Sequence, residues 1–499
     1  MSVLTPKLVD ALPAGIARPG YDPSQTRIGI VHLGIGAFHR AHQAIYTDDA
    51  LASAGPDRDW GICGVSLRSA DVRNRLTPQA ALYTAVEKSS AGIQRRIIGS
   101  VREVLFLGDE RDTVDARLAS PSTRIVSLTV TEKGYCHDPA TGRLNFSHPD
   151  IVHDLADPAH ANSVVGLIVA TCAARRAGNA GPLSVICCDN LPHNGMVVRG
   201  LVDEFAHARD PSLAQWIAQN ASFPSTMVDR IVPATTDVDI ADNDAALSAG
   251  ENGFAIHDAA PVIYEPFRQW VIEDAFVTAR PAWERSGAQF VGDVAPFELM
   301  KLRMLNGSHS TMAYLGYLAG YDFIYQVSAD ARFQRLVSGL WDESGATLPP
   351  LPGTDIGQYR GDLWTRYQNA ALPHKTWQIA MDGSQKLPPR LLAPIRDRIK
   401  AGASIAHLAL AVAGWMRYVA GTDERGQPID VRDPLAAEFN ARCTQNADPD
   451  VRARALLAIP AIFGNDLPAD RHFVDSVTGW HRKLATQGVQ HVLDSHFSG

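Results

Sequence analysis

The run Arg27-Ile-Gly-Ile-Val-His-Leu33, followed by Gly34-Ile-Gly36-Ala-Phe-His-Arg40, decides how the first half of the chain is read. A short apolar run bounded by glycine is the pattern of a buried strand. The residues after the glycines open a helix. Glycine permits a tight turn and lets the backbone approach a pyrophosphate, while a helix N-terminus offers N–H groups and a positive dipole end. Gly34, Gly36, Phe38 and Arg40 are therefore candidate cofactor contacts. The full G-x-G-x-x-G fingerprint is absent, because Arg40 follows Phe38-His39 where a small residue is expected.

Working outward, a second strand is expected at Gly61-Ile-Cys-Gly-Val-Ser-Leu67, with Arg68, Asp71 and Arg73 just past it. Asp71 is placed to take adenosine ribose hydroxyls, and an arginine there could take a 2′-phosphate. The alternative for Asp71 is a helix N-cap. Its distance from Gly36 exceeds the usual ~20 residues, so the first crossover must be enlarged. Further strands are expected at 82–86, 96–99, 124–130 and 183–188, with a helix over 163–176. This alternation predicts a mostly parallel, doubly wound sheet, whose ligands bind beyond the strand C-termini. Glu132 and the Asp189-Asn190 pair fall there and are candidates; Asn194-Gly195 reads as a turn pair. Residues 1–26, rich in Pro and Gly, are expected to wrap the surface. Residues 223–280 read as strand-rich, with Asp229-Arg230 inside an apolar segment as either an ion pair or a site.

From Pro296 the pattern turns helical, with helices expected near 297–320, 329–344, 390–400, 404–419, 433–443, 450–459 and 468–486. The expected domains are 1–290, of Rossmann type, and 291–499, α-helical. The second opens on Glu298-Leu-Met-Lys301-Leu-Arg-Met-Leu-Asn306-Gly-Ser-His309, the start of one helix running to about Tyr317. At about 100° per residue, Asn306 lies roughly 140° and His309 roughly 80° from Lys301, so the three share a sector of an otherwise apolar helix. Burying an amine, an amide and an imidazole is costly unless something answers them. Either a structural polar network or a site with a perturbed lysine accounts for them. Burial lowers a lysine pKa and makes a neutral base available. Small-molecule sites favour domain interfaces, and this helix would face one.

Composition narrows the remaining classes. With 499 residues, 45% hydrophobic and 20% charged, the chain is that of a globular protein. A formal net charge of -8 and the lack of a basic tract argue against a nucleic-acid partner. No apolar run approaches the roughly 20 residues of a membrane span, and no signal peptide is read, so the cytoplasm is expected. The six cysteines show no C-x-x-C spacing and read as reduced thiols. No metal site is expected.

The segments Ile30–Gln43, Ser127–Cys136, Cys188–Gly195, Glu265–Asp274 and Lys301–His309 resemble the mannitol dehydrogenase family of polyol-specific long-chain dehydrogenases. The likeness runs from about residue 25 to about residue 480, and the K-x(4)-N-x(2)-H block is its most specific part. The resemblance implies a metal-free enzyme using NAD, with NADP possible, on a polyol or sugar-acid substrate. It implies that Lys301 is the acid/base, that Asn306 and Asn190 stabilise the oxyanion, and that His309 orients substrate. Glu298 would relay the proton to solvent, with Asp229 and Lys386 as further substrate contacts and a monomer as the working form. A non-catalytic NADH sensor on the same scaffold would have no need of a buried base. Fructuronate reductases tend to carry an arginine within the segment 189–195, where Pro192-His193 stand here. Gln378 stands where mannitol dehydrogenases have an arginine. D-mannitol/D-fructose is the first expectation and D-mannonate/D-fructuronate the second.

Overall fold

Six parallel strands form the central sheet of the first half: β1 (Ile28–Leu33), β2 (Gly61–Ser66), β3 (Val101–Phe106), β4 (Ile125–Leu128), β5 (Leu183–Cys187) and β6 (Ala221–Ser222). Their order is β6-β5-β4-β1-β2-β3, the doubly wound order of a Rossmann fold. They are seen in a computed structural model that describes residues 2–53, 58–138, 141–250 and 253–498. Backbone contacts divide the chain into two compact units, 1–295 and 296–499.

The strands read as continuous apolar runs because both faces of the sheet are covered. Val31 and Leu33 of β1 pack on one face with Val165, Leu167 and Ile168 of helix Val164–Gly178. Ile30, one residue out of phase, packs on the other with Ile45 and Leu51 of helix Gln43–Ser53, and with Trp270 and Trp283. The β1-to-β2 connection holds two helices, Ala37–Ala41 and Gln43–Ser53, which is the enlarged crossover. Between β2 and β3 the chain inserts the antiparallel pair Tyr83–Ser89 and Gly92–Ile98, flanked by Val262–Tyr264 and Ile16–Ala17 in a four-stranded sheet. The strand-rich stretch 223–280 supplies a third sheet, in which Thr226–Asp229 pairs antiparallel with Gln269–Glu273. Helices Asn194–Arg209, Pro211–Asn220 and Asp237–Leu247 were not expected. The first begins at the Asn194-Gly195 pair that reads as a turn.

The second unit is helical throughout. Helix Ala406–Val419 is its axis, almost wholly buried. It packs on Gly307–Leu318 so closely that a Cβ at Gly414 would lie 2.7 Å from Leu315 Cδ2. Helix Ile356–Tyr367 was not expected; the Pro/Gly-rich segment at about 348–358 reads as a loop and overlaps its start. The Asp355 carboxylate caps it by accepting from Gly357 N (2.7 Å), and Tyr359, Leu363, Arg366 and Tyr367 are buried. Among the described residues no helix is long and apolar enough to cross a membrane.

The organising stretch departs most from expectation. Instead of one α-helix it is α over Ala295–Met300, π over Lys301–Asn306 and α again over Gly307–Leu318. Most of the cause lies outside the stretch. Trp341 Nε1 donates to Met304 O (3.1 Å), and Tyr367 Oη donates to Leu305 O (3.0 Å). Ser308 Oγ adds a bond to Met304 O (2.5 Å). Carbonyls satisfied by these side chains no longer need the regular helical ladder, and the turn widens.

Candidate functional site

In the first unit the candidate site is built from main chain at the topological switch point, where β1 and β4 lie side by side and their crossovers diverge. Gly34 has φ +98°, and a Cβ there would lie 2.0 Å from Thr129 O. Both the backbone conformation and the approach require glycine. Its carbonyl accepts from Thr129 Oγ1 (2.7 Å), and the His32 ring lies 3.1 Å away through Nε2. Gly36 is exposed and opens helix Ala37–Ala41. A cavity of about 900 Å³ is lined by Gly34, Leu67, Arg68, Thr129, Thr131 and Gly134, among others.

Behind this loop sits an unusual cluster of imidazoles. His32 and His39 stack with centroids 3.4 Å apart, and Phe38 stacks on His42 at 5.0 Å. Among the described residues, neither ring nitrogen of His39 nor either Gln43 amide atom meets hydrogen-bond geometry, although Gln43 lies beside both rings. Burial holds His32 and His42 down to about 3 and pushes His39 well below the usual histidine range. Arg40, expected at the cofactor, is buried. Its guanidinium bonds Ala260 O and lies over the Tyr83 ring, so it braces the core behind the loop.

Asp71 is the exposed first residue of helix Asp71–Leu76, and its N–H bonds Ser69 Oγ (3.1 Å). Arg73 is committed to Asp109 and Glu110, whereas Arg68 is well exposed, 3.6 Å from Asp150. Glu132 is exposed and follows Thr131, whose φ of +66° is strained for a non-glycine residue. Asp189 over-determines that strain by accepting from Val130 N (2.9 Å), Thr131 N (3.1 Å) and Tyr135 Oη (2.6 Å). Asn190, next along, is exposed. Asn194 is fully buried and structural, bonding Asp189 O and both backbone groups of Thr226. Asp229 is buried at the end of its strand. One group of three potential metal ligands occurs among the described residues, Cys136, His148 and Asp150. His148 Nδ1 there accepts from Asp150 N, and Asp150 faces Arg68.

In the second unit the π-turn sets the geometry. An i→i+5 repeat puts Lys301 and Asn306 on the same side, one turn apart, rather than the roughly 140° of a regular helix. Lys301, Leu302, Asn306 and His309 are half-buried, while Arg303, Met304, Leu305, Gly307, Ser308 and Ser310 are buried. The polar three therefore line the single open side, and they are less buried than the sequence implied. Glu298 is half-buried on the turn before. Among the described residues nothing hydrogen-bonds the Asn306 amide, and His309 Nε2 is buried without a partner. Tyr367 and His374 flank the His309 ring at 5.5 and 5.8 Å.

Sequence reasoning named Lys386 here but not Arg366, His374 or Arg390. Burial, then His374, Arg390, Arg366 and Lys386, hold His309 well below the usual histidine range. Lys386 Nζ donates to Met381 O (2.6 Å) and Ile379 O (3.3 Å), and burial, then Arg390, lowers its pKa. Arg390 belongs to a second π-turn, Pro388–Leu392, which packs on the first: a Cβ at Gly307 would lie 3.2 Å from Arg390 O. Arg366 and His374 lie in and after the unexpected helix Ile356–Tyr367. Arg390 stands 80 positions from Ser310, the residue it bonds. No local signal connects them.

The chain matches the Mannitol dehydrogenase Rossmann domain over residues 28–285 and the Mannitol dehydrogenase C-terminal domain over 293–485. It is 47% identical to the D-mannonate oxidoreductase of Escherichia coli K12, covering 95% of this chain and 97% of that one. It is 39% identical to the mannitol 2-dehydrogenase of Pyricularia oryzae, covering 94% and 93%. Among solved structures it resembles the Pseudomonas fluorescens mannitol 2-dehydrogenase ternary complex with NAD and D-mannitol, with TM-score 0.80, 38% identity and 99% of both chains covered.

Proposed function

Because the chain belongs to the mannitol dehydrogenase family of oxidoreductases, we propose that it interconverts, with NAD, a secondary alcohol and its ketone on an open-chain six-carbon sugar acid. D-mannonate and D-fructuronate are the leading pair, and D-mannitol and D-fructose the second.

The residues at the glycine loop fit a dinucleotide. Gly34 is held in a conformation only glycine adopts easily, Gly36 leaves the approach open, and the cavity beyond them is large enough for the diphosphate and a nucleoside. NAD bound there would supply the hydride acceptor. The protein's part is the proton and the oxygen. Lys301 accepts the alcohol proton as a neutral amine, and Glu298 passes it to solvent. The Asn306 amide donates to the oxygen as charge develops there, a contribution of about 3 kcal/mol by analogy with other oxyanion donors. Asn190 supplies a second amide, and His309, Asp229 and Lys386 hold substrate hydroxyls. The π-turn supports this assignment, since it aligns amine and amide on one open side. Asp71 favours NAD over NADP by like-charge repulsion, and Arg73 is already engaged by two carboxylates.

The observation that carries the acid over the neutral polyol is the group of cations at His309. Arg390 and Lys386 bring positive charge to it, and among the described residues no carboxylate pairs with Arg390, so a substrate carboxylate would answer that charge. The reading reverses the order expected from sequence. The test is kcat/KM for NADH oxidation with D-fructuronate and with D-fructose. Fructuronate should lead by at least about tenfold, or ~1.4 kcal/mol in transition-state binding. A lead for fructose returns mannitol to first place.

A further inference from the structure

Several arginines of the second unit are answered by acids. Arg303 pairs with Asp397 at 2.7 Å, Arg332 with Asp330 and Asp494 at 2.6 Å, Arg360 with Asp342 at 2.7 Å, and Arg396 with Asp466 at 2.5 Å. Arg390 is different. It is half-buried, and among the described residues no carboxylate pairs with it. Its one hydrogen bond is Nη1 to Ser310 Oγ, 3.0 Å, and Ser310 is itself buried next to His309. Nε and Nη2 make no hydrogen bond, yet neither is sealed from solvent. A guanidinium is rarely left partly desolvated without an anion, and its free edge is the planar fork that matches a carboxylate.

The surroundings fix where that edge belongs. Pro388–Leu392 packs on the turn bearing Lys301 and Asn306, through the close approach of Arg390 O to Gly307. Ser310, the residue after His309, anchors one nitrogen, and the Arg390 charge acts on the His309 ring. Lys386, one turn earlier, spends donors on Met381 O and Ile379 O and is less free to serve.

We infer that Arg390 is the specificity-determining residue that binds the terminal carboxylate of a sugar-acid substrate, with Ser310 as its positioning partner. This rests on the sugar-acid reading of the same site. Its neighbours are consistent: burial lowers the Arg390 pKa, and the phenols of Tyr314 and Tyr367 oppose it. A carboxylate would supply the missing counter-charge. The ketone and its reduction are untouched, so Arg390 should govern which substrate is held and not the chemical step.

The experiment measures kcat and KM with NADH for D-fructuronate and D-fructose in wild type, Arg390→Gln and Arg390→Ala. Gln keeps a donor for Ser310 and removes the charge. Both variants should lose about a hundredfold in kcat/KM for fructuronate, mostly in KM, and change by less than about threefold for fructose. Guanidinium ion should restore part of the fructuronate activity of Arg390→Ala and leave fructose activity alone. Equal losses on both substrates in both variants, with wild type still preferring fructuronate, would overturn the role of Arg390 and leave the sugar-acid reading standing. A wild-type preference for fructose would overturn the sugar-acid reading itself. Unchanged fructuronate kinetics in Arg390→Gln would also overturn the role.

Discussion

The Gly34–Gly36 loop and the Lys301–Asn306 turn both break regular structure, one after a strand and one inside a helix, and they do so by opposite means. The loop is written locally. Gly34 is required by its own φ and by the Thr129 carbonyl, and the residues that make the break are the ones that would meet a ligand. The turn is imposed mainly from outside, by the Trp341 indole on the Met304 carbonyl and the Tyr367 phenol on the Leu305 carbonyl, with the neighbouring Ser308 hydroxyl adding a local bond. A local device is legible in sequence, whereas a device made of distant donors is not.

The sharpest way to break the first half of that comparison is Gly34→Ala. The methyl group would strike Thr129 O, so stability should fall by more than about 3 kcal/mol and NADH binding should be lost. Gly36→Ala is the control: its φ is -80° and its nearest neighbour lies 3.8 Å from the new carbon. Stability should change by less than about 0.5 kcal/mol. Urea unfolding and NADH fluorescence measure both.

Acid should weaken both units. His32, His39 and His42 in the first, and His309, His374 and His481 in the second, all have pKa values lowered by burial, to about 3 for His32 and His42 and about 4 for His481. Below pH 6.5 the unfolded chain takes up protons that the native state refuses, so stability falls as pH falls toward the native values. At pH 5 His32, His42 and His481 each cost about 2 kcal/mol. Urea unfolding at pH 7.5 and 5.0 tests this, and His39→Leu should remove one histidine's share of the difference.

Tyr367→Phe addresses the second half of the comparison and is expected to be milder. It leaves Leu305 O short of a donor, costing about 1–3 kcal/mol. With the turn loosened, kcat should fall about tenfold while NADH affinity stays unchanged, an energy near 1.4 kcal/mol. An unaltered kcat would mean that the widened turn does not position Lys301.

What the sequence disclosed follows the same division. The parallel sheet was legible because strands covered on both faces are unbroken apolar runs punctuated by glycine. The helical second unit was legible from its periodicity. Arg40 follows the glycine turn in sequence and so was expected at the cofactor, while the fold turns it toward Ala260 and Tyr83. The helix Ile356–Tyr367 was hidden by the Pro/Gly-rich segment that overlaps its start, and with it Arg366 and Tyr367. Arg390 was hidden by its distance along the chain from Ser310. Lys301, Asn306 and His309 stand out in the sequence as polar residues on an apolar helix, but the π-turn that places them is not written there.

The central claim is that Lys301 is the general base, and the pH profile of kcat/KM for alcohol oxidation in wild type and Lys301→Ala tests it most directly. Only the neutral amine accepts a proton, so the wild-type rate should rise with pH as Lys301 deprotonates. Lys301→Ala should bind NADH normally, lose at least about 10²-fold in kcat and lose that rise. A variant with near wild-type turnover and the same pH dependence would contradict the claim, leave Lys301 a structural partner of its turn, and move the search for the base to Glu132.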